Sequence, residues 1–326
     1  MTTLKDVAKS LNISAMTVSR AINDPKRVNK DLLVKIYEEM ERLNYRPNQA
    51  ARALVNQKTG IIQVVIYNKL SGTDIYFVYL ISSIIDYLSK NNYSAIIKHG
   101  YDKFYNCDGM IVIGLSQGDD IEMFKKIDIP TVLFGKTEQN VDYVDINNHQ
   151  GTYLATNYLI QNKYKNIAFI AIDEDEPFCQ ERIDGYIKAL KDNKIVIKKE
   201  MIFCTNNTIE AGQNVFNDMW KYKPDAVVCS TDLIGLGIIE GAKRNNIRIP
   251  QELAIIGFDG VYLNQVSIPR LTTIRQPIYE LGEKLASTLI SRIKNPDLEQ
   301  QTSILDLTLQ KEDTVLEIDT KEGNLL

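Results

Sequence analysis

The sequence predicts a chain in two parts. A small all-α headpiece built on a helix-turn-helix is followed by an α/β core of two doubly wound parallel-sheet subdomains. Three observations carry this reading. Residues 4–22 read LKDVAKSLNISAMTVSRAI, two apolar helical stripes broken by a turn residue. From Gly60 onward, short β-branched apolar runs alternate with amphipathic stretches, the pattern of repeated βα units. Charge is uneven: residues 1–60 hold eleven Lys/Arg against six Asp/Glu, a balance of +5, so a chain of net −4 leaves −9 on the other 266 residues. A basic head on an acidic body lets one end meet phosphate while the other stays in solution.

The headpiece takes residues 1–45. Leu4, Val7, Ala8 and Leu11 recur at helical spacing. Asn12 follows, and asparagine tolerates the left-handed backbone of a tight turn better than most residues. Ser14 offers a side-chain oxygen to cap a second helix. That helix is expected to bury Val18 and Ile22 and to leave Ala15, Met16, Thr17, Ser19 and Arg20 outward. Such a second helix can enter the DNA major groove, although an ordinary helical hairpin fits the same pattern. Residues 30–43 read as a third helix, with Leu32, Leu33, Ile36, Met40 and Leu43 on one face. Pro47 stops it. Residues 46–59 form a linker in which Asn48 could cap a short helix through Leu54 or Val55, one too short to persist alone in water. A plain flexible tether is the alternative.

In the core, residues 60–326, seven apolar runs predict strands buried on both faces of parallel sheets: 61–67, 94–98, 109–114, 131–135, 166–172, 225–229 and 253–258. They fall into two sets on either side of residue 148, which implies two similar subdomains with a cleft between them. Helix 74–91 has more apolar faces than one sheet requires, with Ile75, Val78, Ile81, Ile84, Ile85 and Leu88 among them, and the surplus suits a dimer interface.

Several classes are set aside. No apolar run reaches the ~20 residues of a membrane span, and the start lacks the basic-then-apolar layout of a signal peptide, so a cytoplasmic protein is expected. Cys107, Cys179, Cys204 and Cys229 are scattered without a CxxC pair, and His99 and His149 are the sole histidines, so neither disulfides nor a metal site is expected. No cofactor and no enzyme activity are expected either. Residues 114–118, GLSQG, match a hydrolase elbow, but the one downstream histidine, His149, is 33 residues on, too close for that layout. GLGIIEG (235–241) is not a dinucleotide fingerprint.

Bottom-up, Arg20 can pair bidentately with a guanine edge, worth ~1–3 kcal/mol of discrimination. Met16 and Ala15 suit a thymine methyl, and Thr17, Ser19 and Asn23 suit phosphates. In the core, the forked guanidinium of Arg182, placed after an apparent loop holding Phe178, suits vicinal hydroxyls or a carboxylate. Thr231, Asp232 and Asp259 end strands, where ligand crevices of parallel sheets open. Asp232 and Asp259 could instead cap helices, and Tyr76 and Phe77 could be core.

The run LKDVAKSLNISAMTVSRAIN followed by NYRPNQAARAL closely resembles the headpiece and hinge of the LacI/GalR family of bacterial transcription regulators. DG-MIVIG, ATNYLIQNKYKNIAFI, ERIDGYIKAL, VVCSTDLIGLG, IPQELAIIGFDG and PRLTTIRQP resemble the same family's core, so the likeness covers nearly the whole chain. It implies a periplasmic-binding-protein-like fold. Its subdomains would exchange near residues 148, 276 and 308: the first about 60–147 and 277–308, the second about 148–276 and 309–326. It implies DNA contacts from Thr3, Leu4, Ala15, Met16, Thr17, Ser19, Arg20, Asn23, Asn48, Ala51, Arg52 and Leu54, the last wedged into the central minor-groove step. It also implies effector contacts from Tyr76, Phe77, Phe178, Arg182, Thr231, Asp232 and Asp259.

Three departures stand out. Asn12 replaces a usual glycine, Thr231 a frequent asparagine, and only ten residues, 99–108, link two strands that the family joins through a helix. That crossover is expected to lack a regular helix. The reading is a homodimeric, effector-controlled repressor of a carbohydrate-utilisation operon. It would bind a near-palindromic operator and be controlled by a sugar or sugar derivative. The rivals are a soluble sugar-binding protein without a DNA role and, more remotely, a hydrolase.

Overall fold

A computed structural model describes residues 2–23, 25–46, 58–67, 75–100, 106–115 and 129–317, the side chain of Asn23 excepted. The chain divides into a unit Met1–Gly60 and a unit Ile61–Leu326.

In the first unit, α1 is Leu4–Ser10, α2 Ala15–Asn23 and α3 Lys30–Arg42. Each helix is started by its own side chain. The Thr3 N–H and hydroxyl donate to the Asp6 carboxylate at 2.8 and 2.7 Å. The Thr17 N–H donates to Ser14 Oγ at 3.0 Å, and the Asp31 N–H to Asn29 Oδ1 at 2.9 Å. These side chains satisfy donors that a helix start leaves open. Between α1 and α2 the chain turns at Asn12, whose φ of 52° is the left-handed conformation that asparagine accepts. Val7, Ala8, Val18, Ala21, Ile36 and Met40 are buried together. The stripe had placed Ile22 beside Val18; instead Ala21 is fully buried and Ile22 half-buried. The inward face of α2 therefore runs through residues 18 and 21, three apart, where a small side chain fits.

The second unit opens with β1 Ile61–Ile66, α4 Ile75–Lys90, β2 Ser94–His99, β3 Gly109–Ile113, β4 Thr131–Phe134 and β5 Asp142–Ile146. It continues with α5 Asn148–Gln161, β6 Ile167–Ile172, α6 Pro177–Asp192, β7 Ile202–Thr205 and α7 Ile209–Trp220. Then come β8 Ala226–Cys229, α8 Asp232–Arg244, β9 Ala254–Asp259, α9 Leu263–Val266 and β10 Thr272–Arg275. The last elements are α10 Ile278–Lys294, β11 Thr302–Leu305 and β12 Thr308–Gln310. Among the described residues two six-stranded sheets form, ordered β11-β5-β4-β3-β1-β2 and β12-β10-β9-β8-β6-β7. Every pairing is parallel except β10 with β12. The chain leaves the first sheet after β5 and returns after β10, when α10 packs over β3, β4 and β5. It crosses again between β11 and β12. Each lobe is thus completed by segments distant in sequence. Close helix packing needs glycine: a Cβ on Gly185 of α6 would run into the His149 carbonyl and the Thr152 hydroxyl of α5.

Five strands, β5, β7, β10, β11 and β12, are not among the apolar runs. β7, β11 and β12 are sheet edges, exposed on one side and so free to carry polar residues. β5 reads DYVDI because its acids have partners: Asp142 forms a buried pair with Arg292 at 2.7 Å. In β10, Thr272 and Thr273 are fully buried with their hydroxyls hydrogen-bonded to the Glu312 carbonyl and Asp232. β2, expected to be buried on both faces, is an edge strand with Ile97 46% exposed. In the short crossover, His99 still belongs to β2, while Gly100 and residues 106–108 are non-helical. The five between lie outside the described residues.

Candidate functional site

Two surfaces bring sequence-marked residues together, one in each unit. On α2, Met16 is 69% exposed and Arg20, four residues on, is exposed beside it. Four residues is one helical turn, so both project from one face. The first-turn residues are less free. Ala15 is half-buried against the headpiece core, and the Thr17 hydroxyl lies 2.8 Å from Ser14 Oγ, within the cap itself. Ser19 is half-buried, Thr3 is exposed and Leu4 leans on the core. Sequence reasoning passed over Lys26 and Arg27, exposed on the 3-10 turn Pro25–Arg27 directly after α2. Neither helical period nor motif marked them. The Asn23 side chain, Asn48, Ala51, Arg52 and Leu54 lie outside the described residues, as does Ser116 of the elbow-like GLSQG.

In the second unit the cleft centres on Arg182, only 5% exposed. Its Nε donates to Asn148 Oδ1 at 2.9 Å and its Nη1 to the Ser230 carbonyl at 2.5 Å. The guanidinium lies over the Phe258 ring, 3.8 Å from its centroid, and 4.9 Å from that of Phe178. Phe178 was expected in a loop. Instead Pro177 begins α6, a position where proline's missing N–H costs nothing, so Phe178 and Arg182 sit one turn apart on one helical face. Burial pulls the Arg182 pKa down, and the nearby Asp259 carboxylate, with Tyr76 and Asp145, opposes that.

Asp259 ends β9 at φ 133°, a backbone region in which a non-glycine residue is strained, and such strain collects at ligand-binding positions. Its Oδ1 accepts the Gln276 Nε2 amide at 2.9 Å, and the Gln276 N–H donates to its carbonyl at 2.9 Å. Gln276 Oε1 in turn accepts the Tyr76 hydroxyl at 2.8 Å. One chain of hydrogen bonds therefore runs from α4 of the first lobe, through the segment where the backbone changes lobes, to β9 of the second. The Tyr76 ring stacks on Phe134 at 6.5 Å and meets Phe77 edge-on at 5.3 Å. Phe77 itself is half-buried against the core.

Thr231 and Asp232 are engaged by their own lobe. Thr231 Oγ1 accepts the Ile234 N–H at 3.3 Å as cap of α8 and donates to Asn207 at 2.7 Å. The Asp232 carboxylate accepts the Thr273 hydroxyl at 2.6 Å and the Gly260 N–H at 2.9 Å. It is 1% exposed, and burial raises its pKa above the usual carboxylate range, with the Thr273 hydroxyl and the Gly260 N–H opposing the rise. Both residues fix the cleft wall through these bonds, and Asp232 also lines the cavity beside the cluster. Asp145, unmarked in the sequence, is buried at the end of β5 with its oxygens accepting the Lys136 and Ile146 N–H groups at 2.9 and 2.8 Å. Burial pushes its pKa to about 6, with Glu181 adding to the rise and Arg182 opposing it.

A cavity of about 300 Å³, open to solvent, lies beside this cluster, with Tyr76, Asn207, Asp259 and Tyr262 in its wall. Asn148, Asn207 and Gln276 were missed, since an isolated amide has no spacing signal. Among the described residues no group of acids, cysteines or histidines could hold a metal ion, and no helix is long and apolar enough to cross a membrane.

Comparison with known proteins gives matches to both units. The family model of bacterial regulatory proteins, lacI family, matches residues 3–48, and that of a periplasmic binding protein-like domain matches residues 156–314. The uncharacterised HTH-type transcriptional regulator YvdE of Bacillus subtilis is 37% identical over 307 residues, 93% of this chain and 96% of its own. The HTH-type transcriptional repressor PurR of Vibrio vulnificus is 30% identical over 338 residues, 98% and 100% of the two chains. Among solved structures, the Lac repressor dimer bound to operator and the anti-inducer ONPF aligns with a TM-score of 0.81 at 20% identity, covering 97% and 99%. A LacI family regulator from Enterococcus faecium with bound ribose aligns with a TM-score of 0.71 at 26% identity, covering 79% and 100%.

Proposed function

The chain belongs to the LacI family of bacterial regulatory proteins, and from that premise we propose that it represses a carbohydrate-utilisation operon under control of a neutral sugar or sugar derivative. It is a DNA-binding regulator with an effector-binding core. Family membership, rather than any missing group, sets the hydrolase reading aside.

The sugar reading rests on one observation: half-buried polar groups and aromatic rings meet in one cleft. Asp259 and Asn207 line a cavity whose wall also holds the rings of Tyr76 and Tyr262. Carboxylate and amide groups suit hydroxyls, and ring faces cover the C–H side of a pyranose or furanose. The ribose held by the Enterococcus faecium relative supports the same class. Arg182 and Asp259 would orient the ligand, with Tyr76, Phe77 and Phe178 packed around it.

On DNA, Arg20 and Met16 would read base edges, while Thr3, Thr17, Ser19 and Asn23 fix register on phosphates. Two chains on a two-fold axis would meet a near-palindromic operator, with Val78, 55% exposed on α4, in their interface. Linker residues Asn48, Ala51, Arg52 and Leu54 would form the minor-groove contact. Ligand binds the two arrangements of the lobes unequally and thereby changes operator affinity.

A panel of neutral pentoses, hexoses and disaccharides tests this by thermal shift. A true effector at a hundred times its Kd contributes ~2.7 kcal/mol, which for a unit of this size raises Tm by about 5 to 10 °C. The same sugar must change operator retention in a gel shift. No sugar shifting Tm, or one that shifts it without touching DNA affinity, would count against the proposal.

A further inference from the structure

At the end of the second lobe where its parallel strands begin, three connections carry an excess of lysine. The segments 161–166, 191–201 and 221–225, which enter β6, β7 and β8, hold eight lysines against three acids, on a core whose net charge is −9. β7 and β8 flank β6 in parallel, so their entrances share one edge. All eight lysines are exposed.

Two of the three acids are already engaged, and the third, Glu200, is exposed beside Lys199. The Asp225 carboxylate accepts the Lys165 and Asn166 N–H groups at 2.9 and 3.0 Å. Asp192 pairs with Lys188. Among the described residues no ion pair reaches Lys163, Lys165, Lys191, Lys194 or Lys199, so their charge faces solvent uncompensated. Within the patch a shallow recess opens to solvent, with Leu190, Ile195, Val196 and Met201 in its walls and Lys165 and Lys198 among its lining residues. Val196 is 78% exposed. An apolar recess beside cations matches one kind of occupant.

We propose that this end of the second lobe docks an acidic segment of a partner protein, one aliphatic side chain seated in the recess and carboxylates on either side meeting the lysines. A nucleic acid fits less well, because the two Lys-Tyr-Lys triplets leave just the Tyr222 ring, 47% exposed, open to a base, and a single ring is no stacking platform. The Tyr164 hydroxyl accepts the Leu316 N–H at 3.2 Å and its ring is half-buried. The Tyr222 ring packs against Phe203, centroids 6.0 Å apart. A single phosphate fits less well too, since the lysines are spread over three connections rather than converging on a point.

The test uses the full chain and a fluorescein-labelled peptide with one leucine flanked on each side by two glutamates, followed by anisotropy at low salt. Saturable binding is expected, falling as salt rises. A peptide with serine for leucine should bind several-fold more weakly. The double variant Lys165→Glu with Lys198→Glu should lose at least about tenfold in affinity with Tm and operator retention unchanged. If that variant does not fold, Lys165→Gln with Lys198→Gln should show a smaller loss in the same direction. No saturation, equal binding of both peptides, or equal binding by wild type and folded variant overturns the proposal. So does a random single-stranded oligonucleotide that loses more affinity than the peptide in the variant, which would assign the patch to nucleic acid.

Discussion

Arg182→Ala separates positioning from binding. The change removes two buried hydrogen bonds, to Asn148 Oδ1 and to the Ser230 carbonyl. Both acceptors are then left unsatisfied, at ~1–3 kcal/mol each. It also removes the cation stacked on Phe258 and Phe178, worth on the order of 1–2 kcal/mol where water is excluded. Water entering the vacated space and relief of the arginine's own desolvation offset part of this. A net cost of about 3–5 kcal/mol is expected, the usual result of stripping one partner from a buried polar cluster. For a unit of 266 residues that lowers Tm by roughly 10 °C. The headpiece has its own core, so operator retention at low temperature should survive while the effector response disappears. Arg182→Lys should recover little, because one ammonium cannot reproduce the fork. Circular dichroism melts with and without effector check both parts. A variant melting within about 1 °C of wild type, with an unchanged effector midpoint, would refute the reasoning.

Arg20→Ala should lower operator affinity by ~1–3 kcal/mol while leaving random-sequence DNA binding close to unchanged, measured by competition gel shift; equal losses on both DNAs would show a phosphate contact instead. Leu54→Ala should weaken specific more than non-specific binding, and an equal loss would remove its minor-groove role. Tyr76→Phe deletes the hydroxyl that reaches Gln276 and should cost about 1 kcal/mol in stability, with a changed effector Kd; an unaltered Kd would disconnect this bond from the ligand. Asp145 binds its proton more tightly folded than unfolded, its pKa rising from 3.8 to about 6. Its contribution is therefore present below about pH 4, declines as pH rises, and is gone above about pH 6, up to about 3 kcal/mol in all. Urea unfolding should show wild type losing stability relative to Asp145→Asn, which carries no titrating group there, by up to about 3 kcal/mol as pH rises from about 4 to about 6, and a pH-independent difference would refute it.

The headpiece was legible because its determinants are local. A cap, a turn residue and an apolar stripe all lie within ten residues of what they specify, and Ser14, Asn12 and Val18 each act within that range. Even there the register of the buried face slipped by one residue, since period alone does not tell Ala21 from Ile22. The lobes were legible where strands are buried on both faces and apolar throughout. They were opaque where a polar strand is made stable by a distant partner. Asp142 meets Arg292 across 150 residues, and Thr273 meets Asp232 across 41. No window of sequence contains both members. The cleft divides in the same way: Arg182 and Asp259 stand in motifs, whereas Asn148 and Gln276 matter only through what folding places beside them.

The engagement of Arg182 has a consequence for ligand control. Two of the five N–H donors of the guanidinium already serve Asn148 and Ser230, so this side chain holds the second lobe's wall and has fewer donors left for the proposed effector contact. On the proposed reading, choice among ligands would then fall more heavily on Asp259. That carboxylate holds a strained backbone and bonds to Gln276, whose other amide atom holds Tyr76 of the first lobe. A hydroxyl donating to Asp259 Oδ1 would share that oxygen with the Gln276 amide. Occupying the cleft would therefore loosen or re-form the bond chain that joins the lobes at the segment where the backbone crosses. Binding energy and lobe arrangement share the same atoms there, and that sharing is what a ligand-dependent switch requires.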